Sequence, residues 1–171
     1  PKVSVIIVNY NGKELLEKCL ESLFKVEYDN FEVILVDNDS IDETVEFITK
    51  NYPSVIIIKL DSNKGFAEPN NISAKIAKGE YLLFLNNDTV VTATFISEMI
   101  KAAENDKTIG ICQSLLLKPD GSVDSSGDFI DKLGVVYNSK TKSDTIREIS
   151  SARGASMLIR KKIFDKLGGF D

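Results

Sequence analysis

Four short clusters hold most of the side chains in this sequence that could do chemistry. They are Asn9-Tyr10-Asn11, Asp37-Asn38-Asp39, Asn63-Lys64-Gly65-Phe66 with Asn70 close behind, and Asn86-Asn87-Asp88. Amides and carboxylates can exchange hydrogen bonds with a nucleobase or a ribose, and Asp37 at a strand end is expected to face such a ligand. A carboxylate such as Asp88 at a strand exit suits a hard divalent cation, Mg2+ or Mn2+. Such an ion takes one or two carboxylates and completes its shell with water and phosphate oxygens. Gly65 lets the backbone approach a ligand closely, and the helix after it offers free N–H groups to anionic oxygens. Lys64 could help to neutralise a diphosphate, and Arg153, beside Gly154, could reach a phosphate or a sugar.

Each cluster also has a duller explanation. Asp88-Thr89 could simply end a strand, and Ser40 with Glu43 spells a capping box. Residues 62–71 could be a solvated loop, and Arg160, Lys161 and Lys162 the solvated start of a helix. What favours a site is that the polar clusters all follow apolar strands.

The elements behind them alternate. "VSVIIVN" (3–9), "FEVILVD" (31–37), "SVIIIKL" (54–60) and "EYLLFLN" (80–86) are apolar runs of strand length. Between them lie helical stripes: Leu15, Leu16, Cys19, Leu20, Leu23 and Phe24, then Ile41, Val45, Ile48 and Tyr52. A third helix is expected from about Pro69, and a fourth, capped by Thr92, buries Phe95, Ile96, Met99, Ile100 and Ala103. Asn11 is expected to cap the first helix and Ser40 the second. Such alternation predicts an α/β fold with a mostly parallel sheet, and ligands of such sheets sit beyond the carboxyl ends of the strands. The four clusters lie at those ends. After about residue 91 the pattern breaks into shorter extended pieces, with a turn at "PDG" (119–121), a strand near 155–160 and a helix stopping at Gly168-Gly169.

Composition narrows the chemistry. The 171 residues suit one domain, and a net charge of −5 argues against non-specific nucleic-acid binding. There is no histidine, so acid–base work falls to carboxylates and any metal to oxygen ligands. Cys19 and Cys112 are too few and too far apart for a disulfide framework, and are expected as buried thiols of a reducing, cytoplasmic compartment. No apolar run approaches the length of a membrane span. No G-x-G-x-x-G follows the first strand and no G-x-x-x-x-G-K-[ST] occurs, which removes the main support for dinucleotide-fold dehydrogenases and P-loop NTPases. The chain opens on Pro1 without Met, as expected of an excised or processed piece.

"VSVIIVNYNG", "ILVDNDSIDET", "SNKGFAEPNN", "YLLFLNNDTVV" and "GASMLIRKKIFDKLGGFD" occur in the order found in family 2 glycosyltransferases, and the set resembles the branch with bacterial rhamnosyltransferases. The resemblance implies a GT-A fold, a nucleotide-diphosphate sugar donor, Mg2+ or Mn2+ and inversion at the anomeric carbon. Asn86-Asn87-Asp88 falls on the D-x-D position with only its last acid present, so Asp88 would carry the metal contact. Asn9, Tyr10 and Asn11 would lie against the base, Asp37 would read base or ribose, and residues 63–71 would pack on the nucleotide. Pro69 stands where relatives often have glycine. About 1–91 would form the donor half and about 92–171 an incomplete acceptor half. The acceptor would be a glycan or a lipid-linked saccharide, with membrane association through segments outside this chain. The family's catalytic base is expected beyond Asp171. The alternatives are a nucleotide-sugar-binding module without catalysis, and a nucleotidyltransferase. The latter class usually has a glycine- and basic-rich first loop, to which "NYNGKE" contributes one glycine and one lysine.

Overall fold

The computed structural model describes residues 1–142 and 145–171. The first half alternates as β1 (Val3–Asn9), α1 (Lys13–Leu23), β2 (Phe31–Asp37), α2 (Thr44–Asn51), β3 (Ile56–Lys59), α3 (Ala67–Ile76), β4 (Tyr81–Leu85) and α4 (Phe95–Asn105). Short strands follow: β5 (Ile111–Gln113), β6 (Leu116–Leu117), β7 (Val123–Ser125), β8 (Asp128–Ile130) and β9 (Val136–Asn138). The chain then enters β10 (Ser156–Arg160) and α5 (Lys161–Leu167). Six strands make one sheet in the order β3-β2-β1-β4-β10-β5, parallel over the first four and antiparallel where β10 meets β4 and β5. Two ribbons, β6-β7 and β8-β9, stand apart from it.

The sheet is covered on both faces, which is why its central strands are apolar through their middles, over 5–8 of β1, 33–36 of β2 and 81–85 of β4. On one face Val5, Ile7, Val33, Leu35, Leu83 and Leu85 pack against Leu16, Leu20, Ile48, Ile96 and Ile100 of α1, α2 and α4. On the other, Ile6, Ile34, Leu82 and Phe84 pack with Ala74 of α3 and Phe164 of α5. This division decides below which strand-end side chains can reach a ligand. Cys19 is buried and its thiol is pushed up to about 11, chiefly by that burial; Cys112 is half-buried, and both are free. No helix among the described residues is long and apolar enough to cross a membrane.

The helix starts differ from the capping expected. Gly12, Glu43 and Thr94 occupy the N-caps of α1, α2 and α4, and none makes a side-chain capping bond. Asn11 and Ser40 are engaged with each other's loop instead. The Asn11 N–H donates to Ser40 Oγ at 3.0 Å, and Asn11 Oδ1 accepts from the Ile41 N–H at 2.8 Å. Ile41, expected on the inner stripe of α2, precedes the helix and is 90% exposed. A lost cap costs about 1 kcal/mol, whereas a fully buried leucine contributes about 1.5–3 kcal/mol. The buried Leu16, Cys19, Leu20 and Leu23 therefore hold α1 without a capping bond from its own N-cap residue.

Arg160 is no solvated helix start either. It donates to Glu104 and to the carbonyls of Ala103 and Ile109, and lies over the Tyr81 ring at 5.0 Å. Hydrogen bonds from Lys107, Tyr81 and Arg160 lower Glu104 from 4.5 to about 2. A depressed carboxylate contributes stability that is present above its unfolded value and lost as pH falls through its folded one. Thermal melts should thus show a decline between pH 4.5 and about 2 that is shallower in Glu104→Gln. Equal slopes for the two proteins would rule this ion cluster out as its source.

Candidate active site

The carboxyl ends of β1, β2 and β4 open onto a cavity of about 330 Å3, within the roughly 300–1,000 Å3 range of small-molecule sites. Val8 and Tyr10 reach it from β1 and the residue beyond it, and Asn38 from just after β2. Phe84, Leu85, Asn86 and Asn87 line it from the exit of β4. Asn63, Gly65, Phe66 and Asn70 form the wall opposite, and Gly154 closes one side. Apart from Asn87 and Leu85, the strand-end residues belong to the α3 face of the sheet.

Strand alternation explains where the other candidates went. Successive side chains point to opposite faces, so Asn9 and Asp37 follow Ile7 and Leu35 toward α1 and α2 rather than into the cavity. Asn9 is fully buried; its amide donates to Thr44 Oγ1 at 3.2 Å and to Ser40 Oγ at 3.4 Å, and its oxygen accepts from Asn87 Nδ2 at 2.7 Å. It holds Asn87, which does line the cavity. Asp37, expected to face the crevice, is fully buried, and neither carboxylate oxygen has a hydrogen-bond partner. Asn11 serves the loop contact already described.

Asn38 organises the opposite wall. Its amide donates to Asn63 Oδ1 at 2.9 Å and to the Gly65 carbonyl at 3.0 Å, and its oxygen accepts the Lys64 N–H at 2.8 Å. At about 1 kcal/mol each, three such bonds favour one arrangement of this loop. Gly65 has φ +73 with open space around it, so the backbone, not crowding, requires glycine there. Asn70, nearly fully buried, donates to the Phe66 carbonyl at 2.7 Å and fixes the start of α3. The Lys64 side chain is exposed. Arg153 is committed elsewhere: its guanidinium grips Asp128 at 3.1–3.3 Å, and its N–H donates to Gln113.

Two contributors escaped sequence reasoning. Gly154 lies so near Phe66 that a Cβ would come within 2.7 Å of the ring. Asp42 reaches across to the start of α1, accepting the Lys13 N–H at 2.9 Å, and also accepts from Thr44. Its carboxyl is lowered because these hydrogen bonds outweigh its partial burial. Such a bridging cap leaves no local sequence signal. The even spacing Val8/Tyr10 and Phe84/Asn86 could have identified the cavity wall, had the face taken by α3 been known.

The cavity lining carries amides, aromatic rings and apolar groups, but no Asp, Glu, Lys or Arg. Tyr10 and Phe66 are about half-exposed at its mouth, and the Phe66 ring packs edge-on with Phe170 at 5.4 Å between centroids. That surface suits a neutral heterocycle or sugar; Asp88 and Lys64 are exposed and not part of the lining. Among the described residues no three His, Cys, Asp or Glu side chains gather to hold a metal. A single carboxylate nevertheless matches an Mg2+ or Mn2+ ion whose remaining ligands are phosphate oxygens and water. Asp88 fits an ion that arrives with a diphosphate, not one held by protein alone.

The profile of the family described as glycosyl transferase family 2 matches residues 4–168. The O-antigen biosynthesis protein RfbC of Myxococcus xanthus is 30% identical over 187 residues, covering 100% of this chain and 15% of that protein. UDP-Glc:alpha-D-GlcNAc-diphosphoundecaprenol beta-1,3-glucosyltransferase WfaP of Escherichia coli is 40% identical over 106 residues, covering 61% of this chain and 42% of that protein. Among solved structures, the mannosyltransferase PcManGT from Pyrobaculum calidifontis, in complex with GDP-Man and Mn2+, superposes with a TM-score of 0.75 at 20% identity, over 100% of this chain and 48% of that one. S. aureus TarS 1-349 in complex with UDP-GlcNAc gives 0.69 at 22% identity, over 98% of this chain and 48% of that one. The matched region spans less than half the length of each of these four chains. With a single match running almost from end to end over a sheet of the same architecture, this chain belongs to glycosyl transferase family 2 and has the GT-A fold of glycosyltransferases.

Proposed function

We propose that this domain transfers a sugar, with inversion, from a nucleotide-diphosphate sugar to a hydroxyl of a glycan or lipid-linked acceptor at the cytoplasmic face of a membrane. The observation that carries this reading is the uncharged amide and aromatic cavity whose lining residue Asn87 is followed directly by the exposed Asp88. The base and sugar occupy the cavity, with Tyr10 and Phe66 flanking the ligand, while the diphosphate lies at the rim near Asp88 and Lys64. The relatives' names, a UDP-glucose-dependent enzyme among them, and neighbours solved with GDP-Man or UDP-GlcNAc support such a donor. Residues 1–91 supply the donor side and 92–171 part of the acceptor side.

In the reaction the acceptor oxygen bonds to the anomeric carbon as the bond from that carbon to the diphosphate oxygen breaks, and the electron pair leaves with the diphosphate. The acceptor proton passes to a carboxylate, which none of the cavity-lining residues supplies. A Mg2+ or Mn2+ ion on Asp88 would stabilise the charge growing on the leaving diphosphate. The lack of an acid in the lining favours, as the second reading, a module that binds the donor without transfer.

Calorimetry on this chain with nucleoside diphosphates and Mn2+ tests the shared donor step. Binding of at least one of UDP, GDP or dTDP that weakens on chelation of the metal is expected. No binding of any of the three would sink both readings. Sugar transfer to a saccharide acceptor by a donor-binding chain would then decide between them.

A further inference from the structure

Two rings of the cavity wall come from different elements yet lean on one side chain behind them. Phe66, at the start of α3, and Phe84, in β4, both line the cavity. Phe170 is not part of the lining, but its ring lies 5.4 Å from that of Phe66 and 4.9 Å from that of Phe84, edge-on to both at 62° and 68°. Both separations fall in the favourable range for aromatic pairs, roughly 4.5–7 Å. Phe164 of α5 backs the group from the core, 5.2 Å from Phe84 and 5.2 Å from Phe170.

The two lining rings differ in how they are held. Phe84 is buried in the sheet, whereas Phe66 is about half-exposed. The tip of the Phe66 ring lies against Gly154, where a Cβ would come within 2.7 Å, and Phe170 meets the same ring edge-on. Filling the core would require Phe170 only against Phe84 and Phe164. Its contact with the half-exposed Phe66 is the one that reaches the cavity.

Phe170 is itself anchored. Its N–H donates to Asn71 Oδ1 at 2.9 Å, and Asn71 Nδ2 donates to its carbonyl at 2.8 Å. Asn71 belongs to α3, the helix that Phe66 precedes, so one clamp ties both aromatic partners to the same element. The fit is close: a Cβ at Gly169 would lie 2.5 Å from Asn71 Oδ1, and the φ of +93 there also favours glycine. We infer that Phe170 is a positioning residue of the donor cavity: anchored by Asn71, it fixes Phe66 against Gly154 and so sets the aromatic wall that meets the base or sugar. This deepens the donor-binding reading above and rests on it.

Two measurements test the assignment, one of them without ligand. In the parent, NMR should show a nuclear Overhauser contact between the Phe66 ring and the α protons of Gly154. Phe170→Ala should lose that contact, and Phe170→Leu, which keeps the bulk, should retain it. In calorimetry with Mn2+ and UDP, GDP or dTDP, Phe170→Ala should bind about tenfold more weakly than the parent, with most of the loss recovered in Phe170→Leu. Asn71→Ala should weaken binding in the same direction. Melting curves identify the temperature at which every variant is folded, so that affinities are compared between folded proteins. A Phe66–Gly154 contact that survives in Phe170→Ala overturns the proposal. So does unchanged affinity in that variant when only its stability falls, which would make Phe170 a core residue alone. A parent that binds none of the three diphosphates sinks the donor reading instead, and the ligand-free contact still shows whether Phe170 places Phe66.

Discussion

Replacing Asp88 by alanine is expected to lower the manganese-dependent affinity for a nucleoside diphosphate on the order of 100-fold, while changing stability by no more than about 0.5 kcal/mol. The two halves of this expectation have separate grounds. Asp88 is exposed and accepts no hydrogen bond from a described residue, so the fold loses nothing with it. Among the described residues the strand-end carboxylate of Asp37 is sealed on the opposite face, and the cavity lining contains no acid to take its place. Asp88→Asn separates charge from shape, since the amide keeps one acceptor oxygen but cannot balance a divalent ion. It should behave like the alanine variant with manganese and like the parent without it. Calorimetry with and without a chelator makes the measurement. Unchanged metal-dependent affinity in both variants would remove Asp88 from the site.

The strands and the end of the sheet used by the site were legible in the sequence because they rest on local rules. Apolar runs of strand length followed by amphipathic stripes imply a parallel sheet, and such sheets place ligands at one edge. What was not legible was which of two adjacent residues faces the cavity. Asn9 and Tyr10 look equally suited, as do Asp37 and Asn38. The choice depends on which sheet face α3 leaves open, and that is decided by packing among segments distant in sequence. The same holds for the caps. Asn11 and Ser40 have the composition of helix starts, yet each is drawn into the neighbouring loop, and Asp42 caps α1 from 29 residues away. Arg160 shows the limit from the other side. Beside Lys161 and Lys162 it looks like one of three solvated cations, until β10 sets it against Tyr81 and the end of α4.

The register that brings the strand ends together is set at their other end, and Gly79→Ala is expected to disrupt it. An added Cβ at Gly79 would lie 2.5 Å from the backbone nitrogen of Ser4 and 2.7 Å from the carbonyl oxygen of Tyr81. Neither is the flexible tip of a side chain, so β1 and β4 must part. The Gly79 N–H also donates to Ser4 Oγ at 2.8 Å, and the Ser4 hydroxyl donates to Glu32 Oε1 at 2.6 Å. Glu32 gathers Lys2 and the Lys78 N–H as well, tying the starts of β1, β2 and β4 to one carboxylate. Overpacking plus a strained buried hydrogen bond should lower stability by about 2–4 kcal/mol, a large part of the roughly 5–15 kcal/mol of a typical domain. Because Val3 pairs with both Phe31 and Tyr81, a shift of β4 there moves Asn86 and Asn87 relative to Tyr10 and Asn38. Urea unfolding should therefore show the lower midpoint, and nucleoside diphosphate affinity should fall even where the variant is folded. Gly121→Ala is the control: its φ is +82 with open space around it, so it carries backbone strain alone and should leave ligand affinity intact. A Gly79→Ala protein as stable as the parent would mean that β1 and β4 do not approach as closely as they do here, and the strand ends that form the cavity would lose their common footing.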